Sequence, residues 1–204
     1  MTANRTIYVD MDDVISETCR GFLKLLRSEF GRSVAFEDVK AFDLTRSFGM
    51  SFDELEVFME RAHQPDILAA MAPMRGALET LAAWGGDGYR IEVMTGRPPS
   101  TRASTEAWLS RHGVGYASLN FVDKYGRRGI DPSFDEAMTL DELAARRYCL
   151  AVEDSAATAA FLAGHGVAPV ALIDRPWNRE LDEAGVRRMT GWRELAETCA
   201  EPGA

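Results

Sequence analysis

A chain of 204 residues, 46% of them hydrophobic, can bury a substantial core as one domain with an insertion or as two small lobes. Its formal charge of −9 supplies no broad basic face to track a phosphate backbone, so duplex nucleic acid is not an expected partner. No stretch reaches the length of a membrane span, no basic leader precedes the first apolar run, and Cys19, Cys149 and Cys199 are too few and scattered for a disulfide framework or a metal cluster; the expectation is a cytoplasmic protein.

The run Thr6, Ile7, Tyr8, Val9 has the β-branched and aromatic bias of a buried strand, and the acidic turn "DMDD" follows it directly. Phe22, Leu23, Leu26 and Phe30 then recur at helical spacing within residues 15 to 31, where Gly31 is a stop signal. A second helix is expected over about 51 to 61, opened by the capping box of Ser51 and Glu54, and a third over 76 to 84, ending in "GGDG". From there strands about 89 to 94, 117 to 122, 148 to 153 and 168 to 173 alternate with helices about 101 to 112, 140 to 146, 155 to 163 and 191 to 199. Such alternation implies right-handed crossovers and a doubly wound α/β fold with a parallel sheet covered on both faces. Residues 15 to 74 show helices but no convincing strand, so they are expected as a helical insertion, with residues 1 to 14 and 75 to 204 as the core.

Open parallel sheets bind ligands outside the carboxyl ends of their strands, so the polar residues following each strand carry the functional information. The first strand delivers Asp10 and Asp12, and the second Thr95, Gly96 and Arg97. The third is followed by Asp123 and Lys124, and the fourth by Glu153 and Asp154. Each has an ordinary structural explanation by itself: Asp is common in turns and helix caps, Thr95 can start a helix, and Asp154 can cap the one beginning near Ser155. Together, in that order at successive strand tips, they match the needs of phosphoryl transfer through an aspartyl phosphate. Those needs are a carboxylate nucleophile, a cation between two anions, and donors for the phosphoryl oxygens. Hard oxygen donors without His or Cys point to Mg²⁺.

These four motifs resemble the haloacid dehalogenase superfamily of phosphohydrolases, over residues 5 to 14 and about 75 to 176. The resemblance implies that Asp10 is the nucleophile and a Mg²⁺ ligand. It implies that Asp12 protonates the leaving oxygen and then activates water, with its backbone carbonyl on the metal. Thr95 and the Gly96 amide would hold the phosphoryl group, Lys124 would neutralise it and orient Asp10, Asp154 would complete the metal site, and Glu153 would be auxiliary. Arg146 and Arg147 stand as alternatives to Lys124, one of only three lysines beside twenty arginines. Asp12 also separates the phosphatases from superfamily members whose leaving groups need no such proton. Asp13 stands where glycine is common, and its expected role is to cap the following helix.

The insertion lies where this superfamily places a C1-type helical cap, a lid that suits small metabolites and excludes water. The stretches "AFDLTRSFGMSFDELEVFM" and "VALIDRPWNREL" are similar to bacterial relatives of the 5'(3')-deoxyribonucleotidases, which makes a nucleoside monophosphate the leading substrate. Phe42, Phe48, Phe52 and Phe58 can stack a base, although helical spacing favours them as lid core; Trp177 is expected to pack its loop. Arg46 and Arg97 read either as contacts to a second anionic group or as surface arginines, and the three histidines show no ligand spacing. A phosphomutase or phosphotransferase shares every motif, and a catalytically inactive ligand-binding fold is the rival from another class.

Overall fold

The computed structural model describes residues 4–41 and 43–198. One sheet contains six strands, β1 (Thr6–Asp10), β2 (Arg90–Thr95), β3 (Ser118–Phe121), β4 (Leu150–Glu153), β5 (Val170–Ile173) and β6 (Val186–Met189), all parallel and in the order β3-β2-β1-β4-β5-β6. The expected doubly wound α/β fold is therefore present. The direction of growth reverses between β1 and β4, which leaves a crevice at their carboxyl ends. Register places Asp10 opposite Met94 and Val9 opposite Val152, so the tips of β1, β2 and β4 lie side by side.

Strand alternation sends Ile7 and Val9 to one face and Tyr8 to the other, and all three are fully buried. On the first face they meet Leu81 and Trp84 of α5 (Ala77–Gly86), Trp108 and Leu109 of α6 (Arg102–Arg111), and Trp192 and Leu195 of α9 (Trp192–Thr198). On the second, Tyr8 joins Leu143 of α7 (Leu140–Ala144) and Ala159 and Leu162 of α8 (Ala156–Gly164). Each large apolar side chain buried in these layers contributes on the order of 1.5–3 kcal/mol, enough to hold a strand end that carries unfavourably crowded acids.

Between β1 and α5 lie α1 (Thr18–Phe30), α2 (Leu44–Phe48), α3 (Phe52–Ala62) and α4 (Pro65–Ala69). They build a separate apolar cluster around Phe58, which is fully buried and meets the rings of Phe22, Phe30 and Phe48 edge-on at 5.2–5.6 Å. The capping box is formed: Ser51 accepts from the Glu54 amide, and the Glu54 carboxylate accepts from the Ser51 amide. Gly31 ends α1 in the left-handed conformation, φ +65°. The outgoing and returning segments run antiparallel, with the Glu17 amide on the Ala72 carbonyl at 2.8 Å and the Met74 amide on the Ile15 carbonyl at 2.7 Å.

Several boundaries differ from the sequence reading. β6 was not expected, because "VRRM" hides its pattern behind two arginines; it is an edge strand, where such charges block further pairing. The short α2 and α4 were also not expected. α5 continues through Gly85 and Gly86 and ends only before Gly88, at φ +84°, since glycine in a last turn costs a helix only about 1 kcal/mol. Of the four phenylalanines considered for base stacking, Phe48 and Phe58 are in the insertion's core, Phe52 is 68% exposed, and Phe42 lies outside the described residues. Cys199 also lies outside them, and the other two cysteines are free thiols. Among the described residues no helix is long and apolar enough to cross a membrane.

Candidate active site

β1 ends on Asp10 and β4 on Glu153, and Asp154 follows at once. One oxygen of each of these three carboxylates lies within 4.8 Å of the others, and all three residues are buried. A single ammonium reaches into the group: Lys124 Nζ is 2.5 Å from both Asp10 Oδ1 and Glu153 Oε1, with its side chain 4% exposed. Lys124 arrives there because β3 ends at Phe121 beside β2, and the Asp123 amide then pairs with the Met138 carbonyl to turn the chain back over the strand tips. The neighbouring Asp123 carboxylate accepts the amides of Arg127 and Arg128 and stabilises this loop. The alternatives to Lys124 lie elsewhere: Arg146 pairs with Glu92, and Arg147 bonds the carbonyls of Ala144 and Arg146.

The electrostatics are those of a site short of positive charge. Burial pushes the Asp10 carboxyl well above the ordinary carboxylate range, Lys124 pulls it back, and Glu153 and Asp154 add to the rise. Asp154 is raised by burial and by Glu153 and Asp13. Lys124 is raised well above an ordinary lysine even though burial opposes its charge, because Asp10 and Glu153 outweigh that penalty. Three carboxylates facing one ammonium, with hard oxygen donors only, fit a divalent cation of the Mg²⁺ kind. Glu153 is the member least free to take one: Oε1 accepts from Tyr8 and Lys124, and Oε2 accepts the amides of Asp154 and Ser155.

The Asp12 carboxylate stands apart from this cluster. Arg97 holds it through Nε and Nη2, at 2.9 and 2.6 Å from Oδ1, and Thr18 Oγ1 donates to the same oxygen at 2.6 Å. Burial alone would raise Asp12, but the Arg97 charge and hydrogen bonds bring it below the ordinary value. The buried Thr95 hydroxyl donates to Asp12 Oδ2 at 3.2 Å and accepts the Arg97 amide, so it touches the proton-carrying candidate rather than the acid cluster. Gly96 sits close to its neighbours: a Cβ there would come within 2.9 Å of the Tyr125 ring, which would have to move aside.

Asp13 caps α1 from outside the helix. Both its carboxylate oxygens accept the Cys19 amide, from a backbone at φ +55°, the left-handed region that explains why glycine suits this position. Burial pushes its carboxyl up to about 8. Helix α8 is capped by Ser155 rather than by Asp154.

Four residues have roles here that were not identified from sequence. Arg97 is neither a surface residue nor free for a second anion, since it is 4% exposed and paired with Asp12. In the "DRPWN" stretch, Trp177 donates to Asp154 Oδ2 and Asn178 to the Asp154 carbonyl. Arg175 donates twice to the Asp13 carbonyl. For Arg175, Trp177 and Asn178 the only sequence signal was that stretch itself, read as loop packing; Trp177 does pack on Phe36 as well. Above the acids opens a cavity of about 360 Å³, within the range of small-ligand sites, walled by Phe22, Phe48 and Met59 from the insertion side and by Trp177 from the loop after β5.

Residues 4–165 match the family described as 5' nucleotidase, deoxy (pyrimidine), cytosolic type C protein. The candidate nucleotidase BH1399 of Halalkalibacterium halodurans is 23% identical over 186 residues, 91% of this chain and 88% of that protein. Among solved structures, Protein Tyrosine Kinase A of Mycobacterium tuberculosis superposes with TM-score 0.66 at 18% identity, covering 97% of this chain and 99% of that one. A haloacid dehalogenase family hydrolase of Deinococcus radiodurans R1, solved with phosphate and sodium, gives TM-score 0.58 at 19% identity over 98% and 96%. The structural likenesses speak to the fold, and the match over residues 4–165 gives the family: the chain belongs to the cytosolic type C 5' nucleotidase family and is a nucleotidase-like phosphoric monoester hydrolase of the haloacid dehalogenase superfamily.

Proposed function

We propose that this chain is a Mg²⁺-dependent phosphatase of small phosphomonoesters, nucleoside monophosphates foremost, that works through an aspartyl phosphate on Asp10. The observation that carries the reading is the meeting of Asp10, Lys124, Glu153 and Asp154 at the β1/β4 switch point, beneath a cavity with a largely apolar wall. The polar end suits a phosphoryl group, and the aromatic wall suits a nucleoside.

In this reading Asp10 attacks phosphorus, a P–O bond to Asp10 forms, and the bond to the leaving oxygen breaks as Asp12 delivers a proton to it. Water then attacks the phosphoryl group, Asp12 takes the water's proton, and phosphate is released with Asp10 restored. Lys124 holds the Asp10 carboxylate in place and offsets phosphoryl charge, while Thr95 and the Gly96 amide supply donors, the Thr95 hydroxyl turning from Asp12 to the substrate. Glu153 orients Lys124. The carboxylates of Asp10 and Asp154 and the backbone carbonyl of Asp12 would hold Mg²⁺, which when bound neutralises charge between the attacking carboxylate and the phosphoryl oxygens. Residues 15–74 act as the cap and residues 1–14 and 75–204 as the catalytic core, so the cavity between them is shielded from bulk water.

Turnover of a phosphomonoester panel, with and without Mg²⁺, tests this. Hydrolysis requires the metal, prefers nucleoside monophosphates to sugar phosphates, and falls roughly a thousandfold or more in a folded Asp10→Asn variant. Equal rates on both substrate groups would remove the nucleotide assignment, and metal-independent turnover the Mg²⁺ site.

A further inference from the structure

Arg97 touches the Asp12 carboxylate and both chain segments that join the insertion to the core. We propose that Arg97 is the positioning residue for Asp12. It fixes which carboxylate oxygen exchanges protons and ties that oxygen's place to the entry and return of the insertion. This rests on the proton-carrier reading of Asp12 given above.

The two oxygens of Asp12 are held unequally. Oδ1 accepts Arg97 Nη2 at 2.6 Å, Arg97 Nε at 2.9 Å and Thr18 Oγ1 at 2.6 Å, which fills its acceptor capacity. Oδ2 has only the long contacts from Arg97 Nε at 3.1 Å and the Thr95 hydroxyl at 3.2 Å. Oδ2 is therefore the oxygen that serves the leaving group, and the grip on Oδ1 sets its direction. Both residues border the cavity, but the Asp12 side chain is 27% exposed whereas that of Arg97 is only 3% exposed.

The rest of the guanidinium reaches the joints. Nη2 is 3.3 Å from Ser16 Oγ on the outgoing segment and 3.7 Å from Met71 Sδ on the returning one, while Nη1 reaches Thr105 of α6 in the core at 3.4 Å. A planar fork spanning these partners is a property of arginine; a lysine ammonium can serve one point of the set. The same engagement argues against a substrate-binding role, since the donors already face protein atoms.

Leaving-group dependence separates the two layers of the argument. The full-length protein is assayed on p-nitrophenyl phosphate, whose phenolate leaves without a proton, and on benzyl phosphate, whose alkoxide needs one; kcat/KM reports the step that expels the alcohol. Asp12→Asn is expected to lose at least about tenfold more on benzyl phosphate than on p-nitrophenyl phosphate. Without that selectivity the proton-carrier reading itself fails, whatever Arg97 does. With it, Arg97→Gln reproduces the selective loss, and the double variant is no worse than Asp12→Asn alone. An equal loss on both substrates, or a loss that adds to that of Asp12→Asn, overturns the positioning role. Arg97→Lys keeps the buried charge and guards against a folding defect. At an unchanged Tm it shows the selective loss at an intermediate level, and parental kcat/KM on both substrates overturns the proposal.

Discussion

The indole N–H of Trp177 donates to Asp154 Oδ2 across 2.9 Å, and Asn178 in the same turn donates to the Asp154 carbonyl at 2.7 Å. Residues 23 and 24 positions beyond the acid thus orient it from a loop that follows a different strand. A carboxylate held by such a partner meets a cation in one fixed direction, and outer partners of this kind are worth roughly 10–100-fold in metal affinity. Trp177→Phe keeps a ring against Phe36 but removes the donor. The Mg²⁺ concentration for half-maximal activity should rise about tenfold, with kcat at saturating Mg²⁺ largely kept. An unchanged Mg²⁺ titration would show that Trp177 serves packing alone.

The phenylalanines of the insertion divide by burial. Phe58 is fully buried among three edge-on rings, whereas Phe52, at the start of the same helix, is 68% exposed. Phe58→Ala removes buried area and leaves a cavity, at a cost of about 3–5 kcal/mol, while Phe52→Ala stays within about 0.5 kcal/mol of the parent. Urea unfolding followed by circular dichroism distinguishes them. If Phe58→Ala were as stable as Phe52→Ala, the insertion would have no core of its own around that ring.

The sheet was legible where strands are buried on both faces, since a run such as "TIYV" or "VALI" has no other stable use in a parallel sheet. β6 was not legible because Arg188 makes it look like a loop, and its guanidinium is satisfied only by Asp174, Asn178 and the Leu181 carbonyl once the turn is folded. The acids and Lys124 could be placed from the rule that strand ends converge, because each sits within three residues of its strand. Arg97 could not: an arginine after glycine reads as a surface residue or a contact to an anion, and only the folded chain brings the Asp12 carboxylate and the hydroxyls of Ser16, Thr18 and Thr105 around it to make burial tolerable. Asp13 was readable as a cap from its residue type, but its left-handed backbone was not. The general reason is that periodicity reports which face a residue occupies, and says nothing of which distant side chain will meet it there.

His63 gives the chain an acid sensitivity of definite sign. It ends α3, borders the cavity and is partly buried; burial and the nearby Arg97 push its pKa down to about 4, with Asp12 opposing and Arg127 assisting. The folded protein therefore keeps this imidazole neutral down to that value, while the unfolded chain takes up a proton near pH 6.5. Between those limits the unfolded state binds more protons, so stability contributed at neutral pH is lost as pH falls through about 6.5 and the loss levels off below about 4. At pH 5 the loss from this one group is about 1–2 kcal/mol. Many carboxylates titrate in the same range, so the measurement is a difference: unfolding free energies of the parent and of His63→Gln at pH 7.5, 6 and 5. Relative to the parent, His63→Gln should gain stability on acidification. A constant difference across the three pH values would mean that His63 is protonated alike in both states, and that the charges facing it from Asp12, Arg97 and Arg127 balance.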